Sequence, residues 1–370
     1  MDTEIITKRQ CVVMMITFLL GSSLVMGVGK EAGRDAWLAV ITGMLFSLPV
    51  FFVYCRLLTL NPNKGLYDII INTFGNIAGK IVVLLYAWYA FHLGAMVTRN
   101  FTEFIMIVIL NSTPQYVIAI FMSLLAIWAV KAGLEVIARW TVAILPVILL
   151  AIIIVTLFFI PYLEPGNIKP VLYNGIKPVL ESGFMVFTFP FAEMVLFTVI
   201  FGSIKKKSNP YRIFYRSLII GGSTLLLITV RSLLALGEAN DSIMYFSSYA
   251  SVRLIRIGNF LERIEVSVAI VFMLSGFVKV CVCMLTAVKG AARVLNIGNY
   301  RQIAAPIGLL MMVLTVNIYT NTKEMFDWAA KVYPFYAIPF QILIPVIIWI
   351  VSEIKSRRVK NKSLRCNIQS

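Results

Sequence analysis

The chain has 370 residues, 60% of them hydrophobic and 14% charged; ordinary soluble domains carry about 25% charged residues, so a water-facing globule is excluded. Its net charge of +16 raises the question of nucleic acid. The basic residues instead collect on one side of successive apolar runs, which is a membrane-topology pattern.

Runs of about 20 apolar residues, the length that crosses roughly 30 Å of hydrocarbon, recur from end to end. Ten spans are predicted, at 10–28, 36–58, 81–110, 114–130, 139–161, 183–203, 212–236, 264–288, 301–320 and 333–353. Met1-Asp2-Thr3-Glu4 lacks the basic start and cleavage site of a secretory signal, so the first span is read as retained. That span is interrupted by Gly21, Ser22 and Ser23, then by Gly27 and Gly29; glycine favours departure from helix and serine hydroxyls compete for backbone partners.

The third span carries His92, read as a helix-interface residue bonded to a neighbour, and then Arg99 and Glu103. Four residues apart, these two can pair on one helical face; the alternative is that Arg99 faces a central cavity and meets a ligand carboxylate or Glu193. After the fifth span, segment 163–182 is punctuated by Pro and Gly and reads as an external loop. The sixth span is interrupted at Phe189-Pro190-Phe191, with Glu193 following at once; Pro190 removes a helical donor and clashes with the preceding turn.

Arg231, toward the end of span seven, is expected to snorkel. Segment 244–262 is amphipathic and suits a lid over an outer vestibule. Lys279 lies near the middle of span eight; a buried lysine readily lowers its pKa, which opens a proton-linked role. Segment 289–300 reads as a short interfacial helix. Trp37, Trp88, Trp128, Trp140, Trp328 and Trp349 suit interfacial belts.

With the N-terminus inside, 21 basic residues fall on the cytoplasmic side, nine on the opposite side, and Arg99, Arg231 and Lys279 within the membrane. Both termini are therefore expected in the cytoplasm. The basic tail 354–370 reads as a topology anchor that can also touch anionic lipid. Cys281 and Cys283, two apart on a helix, point to different faces and make no metal clip. With one histidine and no nucleophile motif, no enzymatic chemistry, metal or cofactor is expected.

Broken helices at matching positions of two halves point to an inverted-repeat transporter with a midplane site. The expected fold is an all-α polytopic membrane protein of the LeuT-like kind: one integral domain, with repeats at about 10–161 and 183–353. The expected ligand site is Gly21, Ser22, Ser23, Phe189, Pro190, Phe191 and Glu193, beside an intramembrane charge network of Arg99, Glu103 and Lys279.

Five motifs carry a resemblance. They are Ala32-Gly-Arg-Asp-Ala-Trp37; Arg99-Asn-Phe-Thr-Glu103-Phe104 with Thr113-Pro114; Gly133-Leu-Glu135-Val-Ile-Ala-Arg139; Phe189-Pro-Phe-Ala-Glu193; and Asn259-Phe-Leu-Glu262-Arg263-Ile-Glu265. Together, and in this order from about residue 5 to 355, they resemble the spore germination permeases. The resemblance implies the amino acid–polyamine–organocation superfamily fold and the B subunit of a nutrient germinant receptor. It implies as partners a membrane-embedded A subunit and a C lipoprotein subunit in the inner membrane of a bacterial spore. The ligand would be a small nutrient, an amino acid or other small polar metabolite. The alternative reading is a proton-coupled amino acid transporter.

Overall fold

The computed structural model describes residues 4–205, 208–252 and 265–368. Among them sixteen α-helices follow in chain order: α1 Lys8–Leu20, α2 Ser23–Met26, α3 Ala36–Leu60, α4 Leu66–Phe74, α5 Asn76–Val108, α6 Gln115–Ala132, α7 Leu134–Phe159, α8 Lys177–Val186, α9 Phe197–Ile200, α10 Pro210–Ile243, α11 Ser247–Val252, α12 Glu265–Leu295, α13 Ala304–Asn317, α14 Thr322–Lys331, α15 Tyr333–Ile338 and α16 Ile344–Ile368. Among the described residues one β-bridge joins Ile6 to Ile204, tying the N-terminal segment to the end of the sixth apolar segment.

Eight of the described helical segments are long and apolar enough to cross a membrane, and α13 with α14, bent by 103°, makes a ninth. The first predicted span is the difference from ten. Its break leaves α1 with 13 residues, about 20 Å at 1.5 Å per residue, which is too short to cross alone.

Two other expectations need correction. Segment 289–300 is not a separate interfacial helix, because α12 continues unbroken to Leu295. The third span begins at Asn76 rather than 81, directly after α4, a short amphipathic helix that buries Leu66, Tyr67, Ile69 and Ile70. Of the expected lid 244–262, α11 is described, whereas 253–262 lie outside the described residues, as does the motif from Asn259 to Ile264.

The sixth and eighth segments form the interior. Of their most apolar stretches, 78% and 72% are buried, against 28% for the α7 segment, which faces outward. The long contact between α5 and α12 is made possible by small residues, the usual device where no hydrophobic drive separates helices from lipid. A Cβ on Gly276 would lie 1.5 Å from the Phe101 ring. That ring instead stacks on Phe272 with centroids 4.3 Å apart. On the other side of the bundle α3 packs between α8 and α10, and α1 lies against α7, α10 and α12.

Candidate functional site

The first break begins where Gly21 closes α1 by donating its N–H to Thr17 O at 3.0 Å. Ser23 turns its hydroxyl back to Leu19 O, 2.5 Å away. After α2 the chain leaves helix altogether: Gly27 and Gly29 have φ of 73° and 82°, a left-handed conformation that costs glycine little. Unwound backbone at membrane depth exposes polar groups that require a partner or a cavity.

The second break has a local cause. The residue before a proline is driven out of the α region, and Phe189 accordingly sits at φ −135°, ψ 116° inside the π-type turn Phe187–Phe191. A tightened 3₁₀ turn, Ala192–Leu196, follows and holds Glu193 fully buried.

Lys279 joins the two breaks. Its stem passes Gly21, where an added Cβ would lie 2.7 Å from Cδ. Its ammonium meets Glu193 Oε2 at 2.5 Å and lies 4.9 Å from the Phe18 ring centre and 4.7 Å from that of Phe189. Two buried charges are tolerated only when paired and hydrogen-bonded. The second carboxylate oxygen, Oε1, accepts from the Tyr333 hydroxyl at 2.6 Å.

Behind Tyr333 the network continues. The Tyr333 and Tyr89 hydroxyls are 3.1 Å apart, and Gln341 donates from Nε2 to the Tyr89 hydroxyl and to Thr188 O, each at 2.9 Å. Gln341 sits in a second π-type turn, Pro339–Leu343. Sequence reasoning missed Tyr89, Tyr333 and Gln341. A signal for Gln341 was present: a polar residue two positions after Pro339 in an apolar run, much as Glu193 follows Pro190.

Beside this network is a cavity of about 130 Å³. One wall is the unwound strip 27–29 with Lys30 and Glu31 of the 3₁₀ helix Lys30–Asp35 that follows, a second is Leu93, Met96, Val97 and Asn100 of α5, and a third is Met185, Val186, Phe189 and Glu193. Tyr319, Met325, Phe326 and Trp328 close it from the α13–α14 bend, with Tyr333 beside Glu193. Of the residues expected at the site, Phe189 and Glu193 line this cavity. Gly21, Ser22, Ser23, Pro190 and Phe191 do not; they shape the two breaks from behind. Trp328 is moved from its expected interfacial belt into the cavity wall, because the 103° bend turns α14 inward.

The remaining charges separate from Glu193. Arg99 pairs with Glu103 at 2.8 Å, both buried, and donates to Val316 O at 3.0 Å at the end of α13. Glu103 also accepts from Thr322 Oγ1 at 2.8 Å. This pair pins α5 to the α13–α14 bend, so Lys279 and not Arg99 is the partner of Glu193. Arg231 does not snorkel: it is buried, with its guanidinium 4.7 Å from the Phe159 ring centre. His92 does not bond a neighbour through Nδ1, which has no partner among the described residues. It packs instead against Trp88, Trp328 and Tyr336.

A second cluster gathers outside the spans around Glu4. Its carboxylate accepts from Lys289 at 3.1 Å, Tyr300 at 2.5 Å, Arg301 at 3.2 Å and the Leu134 N–H at 3.2 Å. Burial pushes the Glu4 carboxyl up, but the Lys289 charge and these hydrogen bonds outweigh it and hold the group below its ordinary value. The N-terminal segment is thereby tied to α7, α12 and the turn before α13.

The fold has known counterparts. MhsT, solved in complex with L-phenylalanine, matches with a TM-score of 0.68 at 12% identity, over 94% of this chain and 89% of that one. Mhp1, a nucleobase-cation-symport-1 family transporter in a closed conformation with bromovinylhydantoin bound, matches with a TM-score of 0.65 at 9% identity, over 98% and 93%. These likenesses show the LeuT-like fold. In sequence the chain is 31% identical to spore germination protein KB of Bacillus subtilis (strain 168), over 97% of both proteins. The family model described as spore germination protein matches residues 5–324. With the resemblance matched over most of its length and the transporter-like fold in place, the chain belongs to the spore germination protein family.

Proposed function

We propose that this chain is the B subunit of a spore nutrient germinant receptor, and that a small nutrient of the amino acid class binds in the cavity between the two breaks. The observation that carries the reading is the cavity itself: the unwound backbone at 27–29 and Glu193, held by Lys279, line one mostly apolar pocket. A pocket with a few convergent polar groups in an apolar lining is the usual form of a small-molecule site. Ligand binding shifts an equilibrium only by its differential affinity for the two states. In this reading the nutrient favours one setting of α14 and the first segment, and the change passes to an A subunit and a C lipoprotein. The protein would lie in the inner membrane of the spore with both termini cytoplasmic, its single integral domain built from repeats at about 10–161 and 183–353.

The test is germination of spores lacking this chain, against their complemented parent, on a panel of single L-amino acids and other small polar metabolites. The proposal expects loss of response to at least one compound, restored by complementation. An unaltered response to every compound contradicts it.

The second reading, a proton-coupled amino acid transporter, is favoured by the likeness in fold to the transporter Mhp1. Concentrative uptake of the active nutrient into proteoliposomes holding this chain alone supports transport; saturable binding without uptake supports sensing.

A further inference from the structure

A groove of about 360 Å³ opens between α6, α7 and α12, on the far side of α12 from the buried ion pair. Its walls include Leu125, Trp128 and Ala129 of α6, Ile137 of α7, and Phe277 and Cys281 of α12. Leu125 and Trp128 are 52% and 66% exposed, on a segment that crosses the bilayer. At about 100° per residue, Phe277 and Cys281 stand roughly opposite Lys279 on the helix.

At the α6–α7 turn the groove meets a polar cavity of about 210 Å³, lined by Gly133, Glu135, Arg139, Arg301 and Glu4. Val136 lines both. Four cations surround this end, Lys131, Arg139, Lys289 and Arg301, against the two carboxylates Glu4 and Glu135. Glu4 is held by Lys289, Tyr300 and Arg301, and Glu135 by Arg139 at 2.9 Å, while Lys131 adds charge at the end of α6. The polar end therefore keeps an excess of positive charge.

We infer that this compound groove binds an anionic phospholipid of the surrounding membrane. One acyl chain fills the apolar part, and the headgroup phosphate meets Arg139 and Arg301, with Lys131 adding to the field. Charge complementarity at the polar end fixes the headgroup class, since basic side chains at the membrane surface attract anionic lipid. The apolar lining argues against a partner helix. Helix–helix contacts in membranes are marked by small and polar residues, and this lining is Met, Leu, Trp, Val, Ile and Phe with one alanine and one cysteine. The lipid would support the back of the helix whose front carries Lys279.

The full-length protein is placed in phosphatidylcholine nanodiscs containing trace phosphatidylglycerol with a diazirine midway along one acyl chain, irradiated, digested and mapped. Labelling is expected to concentrate on 122–129, 136–140 and 273–281, above the equally lipid-facing outer surface of 150–157. Val136→Trp, which fills the junction at a partly exposed position, should lower that labelling by about tenfold. Ala129→Phe provides an independent filling variant should the first lose its monodisperse elution. Lys131→Gln with Arg139→Gln should lower labelling by phosphatidylglycerol about tenfold and leave that by diazirine phosphatidylcholine unchanged. Even labelling around the helical belt, or labelling indifferent to both filling variants, overturns the inference. So does equal labelling by the two headgroups. Capture of a polypeptide by a photoreactive residue at Leu125 in native membranes would assign the groove to a partner subunit and likewise overturn it.

Discussion

Lys279 Nζ lies 2.5 Å from Glu193 Oε2, with both side chains fully buried. The two residues come from the sixth and eighth apolar segments, 86 positions apart in the chain, and meet where both helix breaks converge. Removing one partner of such a pair leaves an uncompensated charge, at a cost of about 3–5 kcal/mol, whereas replacing both is often neutral. Glu193→Gln is therefore expected to lower abundance in spore membranes, and Glu193→Gln with Lys279→Met to recover most of it. Immunoblots against a membrane marker check this. A Glu193→Gln protein at normal abundance with only its nutrient potency altered would assign the carboxylate to the ligand instead.

Gly276 admits the Phe101 ring where any side chain would collide with it. Gly276→Ala is expected to force the stacked Phe101–Phe272 pair apart, at a cost of about 1–3 kcal/mol. Phe101→Leu in the same chain should return part of that loss. Thermal unfolding of the purified single and double variants decides it, and additive losses would contradict the contact.

Glu4 gives a pH dependence with a defined sign. Its carboxyl is held below the ordinary 4.5, so the folded state binds this proton more weakly than the unfolded chain does. Its contribution is complete above the unfolded value and is lost as pH falls through the folded one. Glu4→Gln should lower the unfolding temperature at pH 7, and the gap from the parent should close as pH is taken progressively below 4.5. A gap that stays constant over that range would show that the carboxylate is not the source.

The spans were legible because hydropathy is a local property, and the second break because Pro190 acts on its own neighbours. The Arg99–Glu103 pair was legible for the same reason: four residues apart, it needs only helical geometry. The choice of partner for Glu193 was not local. Three buried cations were available, and helix rotation and the space beside Gly21 select Lys279. Nor could the sequence show that the cavity wall is 27–31 rather than Gly21, Ser22 and Ser23. Both stretches are rich in residues that leave helix, and only packing decides which one faces open space. Trp328 looked interfacial because the 103° bend between α13 and α14 cannot be read from composition.

In the proposed receptor, nutrient occupies the cavity between the breaks. Ala329 lines that cavity from α14 and is half-buried, so Ala329→Phe places a ring in it without entering the ion-pair network. The direct measurement is the germination dose–response of spores carrying this change, with the compound identified in the nutrient screen and with protein level normalised by immunoblot. The predicted result is a half-maximal concentration raised about tenfold or more, equivalent to about 1.4 kcal/mol of lost binding, at normal abundance. An unchanged half-maximal concentration at normal abundance would contradict the account.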